Sequence, residues 1–233
     1  MVKVVLFDLD GTLLPIEVET FLKGYTKALG IKIAHLMDPK TFIKHLLDAT
    51  NKMIEDKNAE TTNEQVFWKY FSGKISVPED IIVPVLNEFY EKDFPLIGST
   101  IDTNRRGAVL IKKLRENGFR LVLATNPLFP KGAVIERMRW AFLDPADFEL
   151  ITTYENMHFC KPHTEYYQEI LEYLEEDPAH CMMVGNDVEE DMVAGKLGMK
   201  TFLLNHFVID RGSGIPYEYS GDFNKLSQVL GIK

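Results

Sequence analysis

Two cysteines, Cys160 and Cys181, are the whole thiol content of the 233 residues. They cannot build a disulfide framework or a cysteine-only metal site. Positive charge is also scarce: 26 Lys and Arg stand against 35 Asp and Glu, a net charge of −9. An acidic chain without a basic run is a poor match for a nucleic-acid backbone or an anionic membrane. No apolar run approaches the ~18 to 20 residues of a membrane span. Met1 to Asp10 carries acids inside its apolar run, unlike a secretory signal. No internal repeat is visible. What is present, 45% hydrophobic and 26% charged residues, suits a buried core rather than disorder. The expectation is a cytoplasmic globular protein with no nucleic-acid or membrane partner; its oligomeric state is not legible.

Val2 to Asp8 (VKVVLFD) is a short β-branched and aromatic run bounded by Gly11. Near-continuous apolar runs of this length suit strands buried on both faces of a parallel sheet. Arg120 to Ala124, Cys181 to Val184 and Lys200 to Leu204 are similar, and Glu149 to Thr152 is a weaker fifth. Helical patterns lie between them, at Arg105 to Asn117, Lys131 to Trp140, His163 to Leu174 and Glu189 to Leu197. Alternation at this spacing predicts a doubly wound α/β sheet. Ile16 to Pro95 has no convincing strand. Asp38-Pro39 reads as an N-cap with Pro at the first helical position, Thr62 with Gln65 as a capping box, and Pro78 as another helix start. An all-helical module is therefore expected at 16–95, inserted into a core of 1–15 and 96–233, with Gly98 and its neighbours as the return hinge. Trp68, Phe67, Tyr70 and Phe71 are expected to fill the module's own core. Gly212 to Tyr219 has no period and reads as a surface loop before a final short helix.

The first strand ends in Asp8-Leu9-Asp10-Gly11-Thr12. Ligands of open α/β sheets bind beyond the carboxyl ends of the strands. Gly11 lets the chain turn so that two carboxylates can face one site. Other strand ends supply Thr125-Asn126, Lys161-Pro162 and the acidic run Gly185-Asn186-Asp187-Val188-Glu189-Glu190-Asp191. His158 and His163 lack a third ligand, and Cys160, although next to Lys161, is expected to be inert.

FDLDGT, then Thr125, then Lys161-Pro162, then an acidic strand end, in that order over the whole chain, resembles the haloacid dehalogenase (HAD) superfamily, and the helical insert resembles its cap. The resemblance implies a Rossmann-like core and a Mg²⁺-dependent phosphatase acting on a small phosphorylated metabolite. It makes Asp8 the nucleophile and Asp10 the general acid/base, with Thr12, Thr125, Asn126 and Lys161 around the phosphoryl group. It gives Mg²⁺ to Asp8, the Asp10 carbonyl and a fourth-motif acid. The acid at Asp10 favours phosphoryl transfer over carbon–halogen cleavage, because the dehalogenase branch lacks it. The usual fourth motif begins Gly-Asp, whereas this chain has Gly185-Asn186-Asp187. One spacing from Asp191 puts Asn186 in the first-acid position, and a shorter one puts Asp187 there. Asp187 carries the charge a cation needs, which leaves Asp191 as a partner through water. A phosphomutase on the same fold and a non-catalytic binding protein are the alternatives. The cap segment has ten Lys and no Arg between Pro15 and Ile97. That favours a neutral or modestly polar leaving group, with Arg105 or Arg106 as cations able to reach the site from the core.

Overall fold

The computed structural model describes residues 1–99, 101 and 103–232. Six parallel strands form one sheet in the order β3-β2-β1-β4-β5-β6. They are β1 (Val4–Phe7), β2 (Arg120–Leu123), β3 (Leu150–Ile151), β4 (Cys181–Gly185), β5 (Lys200–Leu204) and β6 (Tyr219–Gly221). β1 shows why its sequence is apolar throughout. Val5 and Phe7 enter the core on one face of the sheet, and Val4 and Leu6 enter a second core on the other. Period-two alternation is present, but both faces are covered. The winding reverses at β1, which pairs with β2 on one side and β4 on the other. The carboxyl end of β1 is therefore the crevice where such sheets take ligands.

The insert follows β1 as α1 (Val18–Ile33), α2 (Pro39–Glu55), α3 (Asn63–Ser72), α4 (Glu79–Glu88) and α5 (Phe94–Gly98). A π-turn over Phe89–Asp93 joins the last two. The Asp38 cap, Pro39 at the helix start and the Thr62–Gln65 capping box all form as expected. Phe67, Trp68 and Phe71 pack together and against Phe42. Tyr70 departs from the expectation and is exposed. A second aromatic group, Phe21, Tyr25, Phe89 and Phe94, meets Phe129 and Trp140, edge-on or tilted except where Phe94 stacks on Trp140. Gly98 does more than turn the chain, because a Cβ there would overlap the Trp140 indole. Thr100 and Asp102, part of the expected hinge, lie outside the described residues, as does Lys233 at the core's end.

The remaining helices are α6 (Arg106–Glu116), α7 (Lys131–Trp140), α8 (Thr164–Leu174) and α9 (Phe223–Leu230). Two expectations are corrected. The segment 189–197 is not an α-helix but turns followed by a 3₁₀ stretch, Met192–Leu197, ending at Gly198 with φ of 90°. Asp187 and Asp191 side chains accept backbone N–H groups of this loop, in competition with helical bonding. Tyr219, expected at the end of a loop, instead opens β6, a short edge strand too polar to carry an apolar signal.

Candidate active site

Lys161 is fully buried, 1% exposed, at the floor of the crevice. Its Nζ donates to Asp8 Oδ1 at 2.9 Å and to Asp191 Oδ1 at 2.6 Å. Burial alone would push this ammonium down, but Asp191 and Asp8 reverse that and hold it well above its usual range. Burial raises both Asp8 and Asp191, against the lowering pull of Lys161. Lys161 is thus a fixed cation bridging the end of β1 to the loop after β4. Asp191 touches it directly.

The loop after β2 holds the Lys161 backbone in place. Asn126 Oδ1 accepts from the Lys161 N–H at 3.2 Å, and Asn126 Nδ2 donates to Glu190 Oε2 at 3.1 Å. The Thr125 carbonyl accepts from the Thr152 and Tyr166 hydroxyls at 2.7 and 2.9 Å. Its own hydroxyl has no partner among the described residues. A cavity of about 290 Å³ opens above these groups, lined by Asp8, Asp10, Thr125, Asn126, Asn186, Asp187, Glu190 and Asp191 together with Arg137 and Arg211. Val18, Phe21 and Leu22 of α1 border it from the insert.

The two candidates in the fourth motif face different tasks. Asn186 turns toward the first motif: its Oδ1 accepts from Thr12 Oγ1 at 2.9 Å and its Nδ2 donates to the Phe207 carbonyl at 2.7 Å. It lies so close over Gly11, where φ is 78°, that a Cβ there would strike the amide. Asp187 Oδ1 accepts from the Glu189 and Glu190 N–H groups at 3.0 and 2.9 Å and from Arg211 Nη1 at 2.8 Å. Its Oδ2 accepts no hydrogen bond among the described residues. The structure brings Asp8, Asp10, Thr125, Asn126, Asn186, Asp187 and Asp191 to one cavity, with Lys161 beneath. It does not bring Thr12, whose hydroxyl is committed to Asn186 and which borders a separate cavity with Arg105, Arg106 and Lys113.

Three residues here were not singled out from sequence. Glu190, which resembled a helix-terminal acid, lines the cavity, where burial pushes its carboxyl up to about 7. Arg211 comes from a loop without periodicity and pairs with Asp187 and Glu189. Arg137, 1% exposed, pairs with Asp10. Its signal was available: Ala133, Val134, Arg137 and Met138 form the buried face of α7, and a charge on an apolar stripe needs a partner. The flanking residues are structural. His158 Nδ1 meets Glu169 Oε1 at 2.6 Å, His163 Nε2 meets the Ile54 carbonyl at 2.7 Å, and burial pushes the Cys160 thiol up.

Comparison with known proteins accords with this geometry. The model of the haloacid dehalogenase-like hydrolase family matches residues 2–198. The chain belongs to that family. This HAD hydrolase is 25% identical to the pyrophosphatase PpaX of Bacillus pumilus, over 99% of this chain and 96% of that protein. It is 28% identical to the phosphoglycolate phosphatase of Aquifex aeolicus, over 92% and 90%. Its fold is that of a HAD phosphatase from Thermococcus onnurineus, at TM-score 0.63, 20% identity and 98% coverage of each chain. The family is one of hydrolases, so the chain is an enzyme of that class. No helix among the described residues is long and apolar enough to cross a membrane.

Proposed function

We propose that this HAD hydrolase releases phosphate from a small phosphomonoester through an aspartyl-phosphate on Asp8, in a core of 1–15 and 96–233 capped by 16–95. The observation that carries the reading is the Lys161 bridge. One oxygen of Asp8 is held by the buried ammonium, which leaves Oδ2 to attack phosphorus at the ligand-binding end of β1. Thr125 supplies an uncommitted hydroxyl and Lys161 a compact charge for the phosphoryl oxygens. Asp10, on the same cavity, gives a proton to the leaving alkoxide and later takes one from water.

Among the described residues no three His, Cys, Asp or Glu are arranged as a ready metal cluster. The donor chemistry nevertheless fits a hard dication. Five acids line the cavity (Asp8, Asp10, Asp187, Glu190 and Asp191), more than the cations Arg137, Arg211 and the underlying Lys161. Asp187 through its free oxygen, Asp8 through the carboxylate oxygen that does not attack, and the Asp10 carbonyl would hold Mg²⁺ through oxygen alone. When bound, the ion would neutralise charge on the phosphoryl group. Asn186 is already spent on Thr12 and Phe207, which favours Asp187.

The expectation of a neutral leaving group rested on an arginine-free cap. Arg137 and Arg211 reach the same cavity from the core, so that expectation loses its support. The named relatives act on pyrophosphate and phosphoglycolate, and both belong in the test. Phosphate release from a panel of sugar phosphates, phosphoglycolate, pyrophosphate and an aryl phosphate should require Mg²⁺ and cease with a chelator. No release from any of them would leave a binding protein as the reading.

A further inference from the structure

Asp10 and Arg137 carry an unusual deficit. Arg137 Nη1 donates to Asp10 Oδ2, and Nε reaches the Ala133 carbonyl at 3.4 Å. Asp10 Oδ1 and Arg137 Nη2 are both buried and have no partner among the described residues. Buried polar atoms in folded proteins are almost always hydrogen-bonded, so each exception calls for a cause such as a catalytic role. The guanidinium is otherwise firmly placed: its Cζ lies 4.5 Å from the Phe129 ring centroid and 5.8 Å from that of Phe21. α7 packs the rest of the side chain into the core.

We infer that Arg137 is the positioning residue of the acid/base carboxylate, committing Oδ2 so that Oδ1 is the oxygen through which the proton moves. This rests on the reading of Asp8 and Asp10 given above. In the first step Asp8 Oδ2 bonds to phosphorus, the bond from phosphorus to the leaving oxygen breaks, and that oxygen takes the proton from Asp10 Oδ1. In the second, water bonds to phosphorus, its proton passes to Asp10 Oδ1, and the Asp8–phosphorus bond breaks. The Asp10 carboxylate exists between the two steps, and Arg137 keeps it from rotating or pairing elsewhere. Lys161 already serves Asp8, so the two motif-one acids have separate buried cations.

A series of aryl phosphates from 2,4-dinitrophenyl to phenyl, assayed with Mg²⁺, tests this. A dinitrophenolate departs without a proton, whereas a phenolate leaves far better with one. Asp10→Asn should steepen the dependence of kcat/KM on leaving-group basicity, because proton donation is worth ~10²- to 10⁴-fold. Arg137→Gln should steepen it in the same direction. It should lose ~10- to 10²-fold with phenyl phosphate and little with the dinitrophenyl ester, within the range available to that proton transfer. Arg137→Lys, which retains a cation in the apolar slot, should fall between Gln and wild type. Asp10→Asn combined with Arg137→Gln should be no steeper than Asp10→Asn alone. Equal losses across the series for both Arg137 variants, or multiplied losses in the double variant, would overturn the inference and leave a structural arginine. If Asp10→Asn itself shows no steepening, the acid/base assignment fails, and the inference fails with it.

Discussion

The floor and the side wall of the crevice use the same device in different forms. On the floor, Lys161 bridges Asp8 and Asp191 with a compact ammonium held from a loop. On the wall, Arg137 meets a single carboxylate among the described residues, Asp10, from inside a helix, with its guanidinium lodged beside aromatic rings. The floor cation has two carboxylates and, in the proposed mechanism, stands where phosphoryl charge gathers. The wall cation keeps one donor unpaired among the described residues and stands beside the acid proposed to move the proton. Two carboxylates one residue apart thus have different surroundings, which on the proposed mechanism set different tasks.

Substitution should separate the floor from the wall. The largest effect is expected from Lys161→Met, which leaves Asp8 and Asp191 buried without a counter-charge. Breaking such a buried pair costs ~3 to 5 kcal/mol of stability, and losing transition-state charge stabilisation costs ~10²- to 10³-fold in kcat. Across the aryl phosphate series that loss should be uniform, in contrast to Arg137→Gln. A leaving-group-dependent loss in Lys161→Met would erase the distinction. Next in size, Asp187→Asn should raise the Mg²⁺ concentration for half-maximal activity by ~10-fold or more. Asp191→Asn should chiefly lower kcat by loosening Lys161. The reverse ranking in a Mg²⁺ titration would move the metal ligand to another position of the fourth motif. The smallest effect belongs to Phe129→Leu. It removes a ring contact worth ~0.5 to 2 kcal/mol from Arg137 and should steepen the leaving-group dependence less than Arg137→Gln does.

The legible parts of the molecule are those where burial leaves a mark on residue type. β1, β2, β4 and β5 were visible because strands covered on both faces must be apolar throughout. β6, with the sequence Tyr-Ser-Gly at a sheet edge, has no such requirement. Caps at Asp38 and Thr62 were visible because their side chains have a fixed local partner three residues away. The acids between Asp187 and Asp191 resembled a helix start, yet their side chains turn back on the loop backbone and the cavity. The site residues at strand ends could be placed by order alone. Arg137 could not, because its partner is 127 residues distant; only its position on an apolar helix face betrayed it. Arg211 had no local mark at all.

The central claim is that Asp8 carries the phosphoryl group. A single turnover with a ³²P-labelled aryl phosphate and Mg²⁺, quenched in acid, followed by peptide mapping, tests it directly. The account predicts label on the peptide holding Asp8, removable by hydroxylamine as an acyl phosphate, and none in Asp8→Asn. Label retained by Asp8→Asn, or wild-type turnover at full rate with label on no carboxylate, would contradict it.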